Sequence, residues 1–282
     1  MNVKATLAAA AEIRKLTIMA MAAAGYGHIG GSMSLCDLLA VLYTDILNVD
    51  PQDSKKRDRD WVVLSKGHCG PALYAALAYR GFIGKEELKT LNQGGTKLPS
   101  HCDQLKTNGI DISTGSLGQG LSMAAGVSMG NKMQGIQSTV YAIVGDGELQ
   151  EGQNWEAIQF IAHRRMDNIV ILVDNNRRQL DGYTKDICEP FILADKFKAF
   201  GLEAYEADGH DVREIYEAIG QAKLSGKPTA IILNTEKGHG CNFAEIPGFN
   251  HYMVISPDMA ESAMREIDIR LERSYALLDG AN

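Results

Sequence analysis

Short, almost uninterrupted apolar runs, separated by longer segments with helical periodicity, constrain the fold of this chain more than any other feature. Runs rich in β-branched residues are typical of parallel strands buried on both faces. Their alternation with helical segments predicts an α/β fold: a doubly wound, mostly parallel sheet with helices on both faces. The predicted strands are Trp61 to Ser65, Val140 to Val144, Ile169 to Val173 and Thr229 to Asn234.

The segments around these runs favour helices. An apolar stretch begins at Leu7, but Glu12, Arg14 and Lys15 interrupt it, so it predicts an amphipathic helix and not a signal peptide or a membrane span. The other predicted helices are Cys69 to Arg80, Leu117 to Met133, Asn154 to His163, Val212 to Leu224 and a polar C-terminal one from Pro257 to Leu278. We find no repeat or long linker, and expect one domain over residues 1–282.

Charge and cysteine usage narrow the class of protein. The net charge of −7 provides no broad attraction for nucleic acid or anionic lipid, so neither nucleic acid nor a membrane is expected as a partner. The five cysteines are scattered and form no C-x-x-C pair. This pattern fits reduced thiols in a cytoplasmic protein, and neither structural zinc nor a disulfide framework is expected.

Polar residues follow two consecutive predicted strands. Gly145, Asp146 and Gly147 end one strand, and Asn175 and Asn176 follow the next. Loops at the carboxyl ends of neighbouring parallel strands face one crevice. A carboxylate and a carboxamide there suit Mg²⁺, which binds through few protein groups together with phosphate oxygens. Taken separately, each loop is equally compatible with an ordinary turn.

These residues also carry a family resemblance. GDG at 145–147 followed by NN at 175–176 resembles the thiamine diphosphate motif, and the longer GDGELQEG resembles transketolase. Further similar strings are GHIGGSMS (27–34), LSKGHCGPALY (64–74), SH (100–101), STGSLGQGLS (113–122), DGHD (208–211) and NH (250–251). The resemblance implies the diphosphate-binding domain of the thiamine diphosphate-binding fold. It also implies thiamine diphosphate and Mg²⁺ (or Ca²⁺ or Mn²⁺) as cofactors, and transfer of a two-carbon ketol unit from a ketose to an aldose.

The resemblance assigns roles to individual residues. It implies Asp146, Asn176 and the carbonyl of Arg178 as metal ligands. The implied cofactor contacts are Gly147 and His68 at the diphosphate, Leu180 at the thiazolium, and Gly115 and Leu117 at the aminopyrimidine. His251 is implied near both diphosphate and substrate, while His28 and His101 would hydrogen-bond the sugar.

The remaining histidines and acids divide into structural and functional candidates. His163 and His210 are interpreted as structural, the latter beside a predicted helix N-cap at Asp211, and the role of His239 stays open. Glu151 and Glu156 match family acids that run toward a subunit interface and join the activation of the cofactor. An acidic first helical turn, favoured by the helix dipole, is the alternative for both, and is preferred for Glu148.

The chain resembles only the first of three transketolase domains. We therefore expect a split enzyme in which a second subunit carries the pyrimidine-binding and C-terminal domains, assembled as an α2β2 heterotetramer. Tyr26 and Ile29 beside His28, and Cys102 beside His101, depart from the family pattern. The substrate, a sugar phosphate or a sulfo-sugar, therefore stays open. The alternatives are a subunit of another thiamine diphosphate enzyme, similar to deoxyxylulose-phosphate synthase or to a 2-oxo acid dehydrogenase α chain, and a non-catalytic regulatory subunit.

Overall fold

A five-stranded parallel sheet forms the centre of the computed structural model, which describes residues 1–245 and 248–280. Its strands are β2 (Trp61–Leu64), β3 (Val140–Gly145), β4 (Ile169–Asn175), β5 (Glu203–Asp208) and β6 (Thr229–Asn234), in the spatial order β2-β3-β4-β6-β5. Two short strands, β1 (Tyr26–Gly27) and β7 (Met253–Val254), form a separate antiparallel pair. The α/β, mostly parallel fold predicted from the sequence is confirmed.

Helices connect and cover the strands. The α-helices are α1 (Val3–Ala24), α2 (Ile29–Met33), α3 (Cys36–Val41), α4 (Gly70–Arg80), α5 (Gln119–Met133), α6 (Gly152–His163), α7 (Thr184–Ile187), α8 (Leu193–Ala199), α9 (Val212–Leu224) and α10 (Pro257–Gly280). A π-helical segment (Leu42–Ile46) and three 3₁₀ segments (Gly67–Cys69, Lys85–Thr90 and Glu148–Gln150) complete the helical structure of the described residues.

The two faces of the sheet bury two separate apolar cores. Side chains alternate along β3: Tyr141 and Ile143 belong to the core shared with α1, α3, α4 and α9, whereas Val140, Ala142 and Val144 belong to the core shared with α5, α6 and α8. Both faces are covered, which explains why these strands are nearly continuous apolar runs. One helical stretch, Ile29–Ile46, has the length and composition of a membrane span, but 83% of it is buried inside the fold.

Strand β5 is the element that the sequence reading missed. Among the described residues it pairs with β6 alone, at the edge of the sheet, and two of its six residues, Ala204 and Ala207, are buried. An edge strand that is half covered needs no continuous apolar run, so the segment lacks the pattern that identified the other four strands.

Candidate active site

A cavity of about 350 Å³ opens at the carboxyl ends of the parallel strands. Parallel pairing sets Gly145 at the end of β3 beside Asp174 at the end of β4, so the loops that follow the two strands begin at the same level. Twelve of the thirteen site residues predicted from the sequence line this cavity: His28, His68, His101, Gly115, Leu117, Asp146, Gly147, Glu151, Asn176, Arg178, Leu180 and His251. The thirteenth, Glu156, is exposed on α6.

Asp146 is a buried carboxylate with one unpaired oxygen. Its Oδ1 accepts a hydrogen bond from the Gly147 backbone N–H at 2.9 Å. Its Oδ2 is buried and has no hydrogen-bond partner within residues 1–245 and 248–280. Burial, reinforced by the charge of Asp174, raises the pKa of Asp146 to about 7. Leaving such an oxygen unpaired is costly, so this position is suited to a cation.

Asp174 organises the neighbouring loop. This fully buried carboxylate forms an ion pair with Lys66 and accepts hydrogen bonds from Ser34 Oγ (2.7 Å), Thr235 Oγ1 and Asn176 Nδ2 (2.9 Å). Burial opposes its ionisation, but the charge of Lys66 and the hydrogen bonds from Lys66, Thr235 and Ser34 together lower the pKa of Asp174. The second acid of the site is therefore satisfied by protein groups, and it orients the Asn176 amide beside Asp146 in the cavity.

Gly147 allows the two loops to approach closely. A Cβ at this position would lie 2.9 Å from Gln179 Cβ and 3.9 Å from the Arg178 carbonyl oxygen. The Arg178 N–H donates to Asn176 Oδ1 at 3.1 Å. The Asp146 loop and the Arg178 carbonyl are therefore held on the same side of the cavity, and a larger residue at position 147 would separate them.

Four histidines form the opposite wall. The His28 ring lies 5.4 Å from His68, 5.8 Å from His101 and 5.3 Å from His251, measured between ring centroids. Burial is the main cause that lowers their pKa values: to about 4 for His28, about 2 for His68 and about 3 for His251, with a lowered pKa for His101 as well. All four imidazoles are therefore neutral at pH 7 and able to donate or accept a hydrogen bond.

Two lysines that the sequence reading overlooked add positive charge. Lys66 is held by Asp174; burial opposes its charge, but Asp174, together with Cys69 and Asp146, raises the pKa of Lys66. Lys237 Nζ lies 3.2 Å from the Gln179 carbonyl oxygen and 3.3 Å from His251 Nδ1. Burial and then the charge of Lys66 lower the pKa of Lys237 to about 8. The signal was present in the sequence, because Lys-Gly-His occurs at both 66–68 and 237–239.

The positions of the acids after β3 differ in part from those expected from the sequence. Helix α6 begins at Gly152 and has no acid in its first turn, so the acidic-turn interpretation is wrong for Glu151 and Glu156. Glu148 does lie in the first turn of the short 3₁₀ segment before α6, where it is buried and accepts hydrogen bonds from Ser65 Oγ, Gly118 N (2.9 Å) and Gly145 N (3.0 Å). It is a structural residue that ties three loops of the site together. Glu151 is exposed at the cavity rim.

The remaining three histidines lie outside the cavity. His163 ends α6, and Asp211 caps α9 by accepting a hydrogen bond from Arg213 N at 2.7 Å, as expected from the sequence. His210 and His239 stack on each other, with ring centroids 3.6 Å apart. The open role of His239 is therefore assigned to packing and not to contact with the cavity.

Comparison with known proteins places this chain in a family. The family model described as transketolase, thiamine diphosphate binding domain, matches residues 5–254. The chain belongs to the transketolase family. As a transketolase-type transferase subunit, it contains that family's thiamine diphosphate-binding domain and depends on a partner for the rest of the enzyme.

Named relatives include separate subunits. The chain is 48% identical to the 6-deoxy-6-sulfo-D-fructose transketolase subunit SqwG of Clostridium sp. (strain MSTE9), over 91% of this chain and 94% of the relative. It is 38% identical to an apulose-4-phosphate transketolase subunit from Actinobacillus succinogenes, over 90% of this chain and 92% of that relative. The solved transketolase of Campylobacter jejuni superposes with a TM-score of 0.86 at 29% identity, covering 99% of this chain but 49% of that one.

Proposed function

We propose that Asp146, Asn176 and the carbonyl of Arg178 bind Mg²⁺ and, through it, the diphosphate of thiamine diphosphate. The observation that carries this proposal is the unpaired, buried Asp146 Oδ2, next to a second acid whose charge Lys66 already balances. Hard oxygen donors of this kind suit Mg²⁺, and Ca²⁺ or Mn²⁺ would substitute. The residues present therefore fit the metal.

The same cavity suits the cofactor's diphosphate. Lys237 offers positive charge, His68 and His251 offer neutral donors, and Gly147 lets the backbone approach the diphosphate without a Cβ in the way. Gly115, whose added Cβ would approach His101 to about 3.0 Å, and Leu117 and Leu180, which line the cavity with exposed apolar surface, are assigned to the organic part of the cofactor. Bound thiamine diphosphate supplies the nucleophilic carbon for ketol transfer.

The histidines orient the sugar. As neutral imidazoles, His28 and His101 can donate to an oxygen that gains negative charge or accept from a hydroxyl. His251 lies between this pair and Lys237, where it can contact both substrate and diphosphate. Removing His101 is expected to lower turnover more than cofactor affinity.

A second subunit is proposed to complete the enzyme. The chain aligns with 42% of the length of human transketolase, at 37% identity over 95% of its own residues. We assign the pyrimidine-binding and C-terminal domains to a separate chain, in an α2β2 heterotetramer in the cytoplasm. Glu151 and Glu156, both exposed, are assigned to contacts that link the site to this partner.

A sulfonated ketose is the proposed donor. Identity to the 6-deoxy-6-sulfo-D-fructose transketolase subunit is 48%, against 38% for the apulose-4-phosphate transketolase subunit. A ketose phosphate is the second candidate. The competing reaction classes are those of deoxyxylulose-phosphate synthase and the 2-oxo acid dehydrogenases, both of which decarboxylate a 2-oxo acid.

The decisive experiment reconstitutes the chain with the proposed pyrimidine-domain subunit. With thiamine diphosphate, Mg²⁺ and an aldose acceptor, 6-deoxy-6-sulfo-D-fructose is expected to support ketol transfer, and fructose 6-phosphate to react more slowly. Each of the two proteins by itself is expected to be inactive. Robust transfer by the isolated chain would refute the split enzyme, and release of CO₂ from pyruvate would refute the transketolase assignment.

A further inference from the structure

A second polar network lies behind the cavity and is not part of it. His210, in the loop before α9, has both ring nitrogens engaged: Nδ1 lies 3.0 Å from Asp37 Oδ2, and Nε2 accepts from the Glu236 backbone N–H at 2.8 Å. Because Nε2 acts as an acceptor, the ring proton lies on Nδ1 and is donated to Asp37. Asp37 is itself buried and forms an ion pair with Arg14 of α1.

This network does not have the properties of a metal site, although Asp37, His210 and His239 lie close enough to share an ion. Both nitrogens of His210 already have partners, and the Arg14 guanidinium occupies the Asp37 carboxylate. A metal ion would have to displace the Arg14 guanidinium from Asp37 and break the hydrogen bond that the Glu236 N–H donates to His210. The network is therefore built to hold the backbone of the segment 236–240.

The segment 236–240 is fastened at successive residues. The Lys237 carbonyl accepts from Asn250 Nδ2 at 3.0 Å, and the Gly238 N–H donates to the Gly30 carbonyl at 2.9 Å. Gly238 has φ +94°, and a Cβ there would collide with the Ala244 carbonyl oxygen, so this tight turn requires glycine. His210 holds Glu236, the residue immediately before Lys237.

Lys237 projects from this segment into the cavity. Its Nζ lies 3.2 Å from the Gln179 carbonyl oxygen and 3.3 Å from His251 Nδ1, and the side chain is buried. A long lysine side chain has considerable rotamer freedom, so the position of its amine depends on the position of the backbone that carries it. His210 therefore contacts the backbone of this segment at Glu236, outside the cavity, and the next residue, Lys237, reaches into the cavity.

We propose that His210, oriented by Asp37, is a positioning residue that holds the 236–240 segment so that the Lys237 amine faces the diphosphate position of the cavity. This inference deepens the proposed function and rests on it for the identity of the ligand. The placement of the amine itself rests only on the contacts of this chain.

Chemical labelling tests the placement without any cofactor. His210→Phe keeps a ring to stack on His239 but removes both hydrogen bonds, whereas His210→Gln retains a donor and an acceptor. Lys66 is the internal control, because it is equally buried in the same cavity but is held by Asp174. Acetylation by acetic anhydride is quantified by mass spectrometry. At Lys237 it is expected to rise about fivefold or more in His210→Phe, because the hydrogen bond from the Glu236 N–H, which holds the segment, is lost.

The same labelling measurement also has outcomes that would overturn the proposal. Lys66 should keep its wild-type reactivity, and His210→Gln should restore much of the protection of Lys237. Unchanged protection of Lys237 in His210→Phe overturns the proposal. Lys237 and Lys66 becoming reactive together also overturns it, because that result indicates general loosening of the fold.

A double-mutant cycle then tests the consequence for the ligand. In the complex with its partner, Mg²⁺–thiamine diphosphate should bind about fivefold more weakly to His210→Phe than to wild type. In a Lys237→Met background the same substitution should have no further effect, and equal losses in both backgrounds would contradict action through Lys237. A wild-type complex that binds no cofactor would refute the proposed function alone, since the labelling result stands without it.

Discussion

Two acids of the site, 28 residues apart in sequence and adjacent in space, differ in how their charge is balanced. Asp174 is paired with Lys66 and three further donors, whereas the Asp146 carboxylate accepts a bond from Gly147 and leaves Oδ2 without a partner among the described residues. Removing each charge should therefore change the free energy of unfolding of the metal-free chain in opposite directions. Asp146→Asn is expected to stabilise it by about 1–2 kcal/mol at pH 8, because an uncompensated buried charge is lost.

Asp174→Asn is the matched control. It leaves Lys66 as a buried cation without its partner, which should cost about 3–5 kcal/mol. The raised pKa of Asp146 means that wild-type stability falls as the pH rises from about 4 to about 7, so the gain from Asp146→Asn should grow between pH 5 and pH 8. Urea unfolding of both variants without Mg²⁺ measures this. If both substitutions destabilised the chain, Asp146 would not be the uncompensated buried charge that a bound cation is proposed to balance.

The affinity for Mg²⁺–thiamine diphosphate should have a maximum between about pH 7 and pH 8. Metal binding requires ionised Asp146, whose pKa is about 7, so the affinity should rise toward that pH. Lys237 loses its charge above a pKa of about 8, so the affinity should fall beyond it. The pKa values of His28, His68 and His251 lie well below this window, so these residues stay neutral across it.

Calorimetry at constant ionic strength measures the affinity at each pH, and one variant identifies the group responsible for the alkaline decline. Lys237→Met should lower the affinity and flatten the alkaline limb, while the acid limb is retained. An alkaline decline that persists unchanged in Lys237→Met would exclude Lys237 as its cause.

At the scale of elements, the start of helix α5 is wedged against the end of β2. A Cβ at Gly120 would lie 2.6 Å from Ser65 Cα, whereas a Cβ at Gly130, in the same helix, would meet no atom within 4 Å among the residues described. The same substitution should therefore have opposite effects. Gly120→Ala is expected to destabilise the chain by about 1–3 kcal/mol through overpacking.

Gly130→Ala should instead stabilise the chain by about 0.5–1 kcal/mol, the usual difference between alanine and glycine inside a helix. Because Ser65 bonds to Glu148, Gly120→Ala should also disturb the loops that Glu148 ties together and weaken cofactor binding. Thermal unfolding and calorimetry compare the two variants. A destabilised Gly130→Ala chain would show that α5 packs differently from this description.

The elements differ in how far their sequences reveal them. The four strands found from apolar runs are buried on both faces, so burial alone determines their pattern. Both β2 and β5 are edge strands, but three of the four residues of β2 are buried, against two of six in β5, whose polar residues conceal it. The Asp146 and Asn176 loops were recognisable because each directly follows a strand. The Lys66–Asp174 pair was not, because it joins residues 108 positions apart through the register of the sheet.

At the scale of the whole molecule, large apolar side chains are exposed beside the cavity. Leu180 lines it, and Gln150 at the rim donates from Nε2 to the Cys188 carbonyl at 3.0 Å, which brings the following segment to the same edge. In that segment Phe191 is 74% and Ile192 61% exposed. Apolar surface grouped around a site that is proposed to lie between subunits fits a docking area for the partner.

Phe191→Ser should therefore weaken association with the pyrimidine-domain subunit by about tenfold or more, as expected for an aromatic anchor in an interface. The stability of the isolated chain should change little, because this side chain is largely exposed. Leu224→Ser is the matched control: Leu224 is 88% exposed, but it ends α9 just before β6 begins, at the end of the sheet opposite the cavity. Analytical ultracentrifugation with the partner measures both variants. Equal weakening by the two, or none by Phe191→Ser, would place the docking area elsewhere on the molecule.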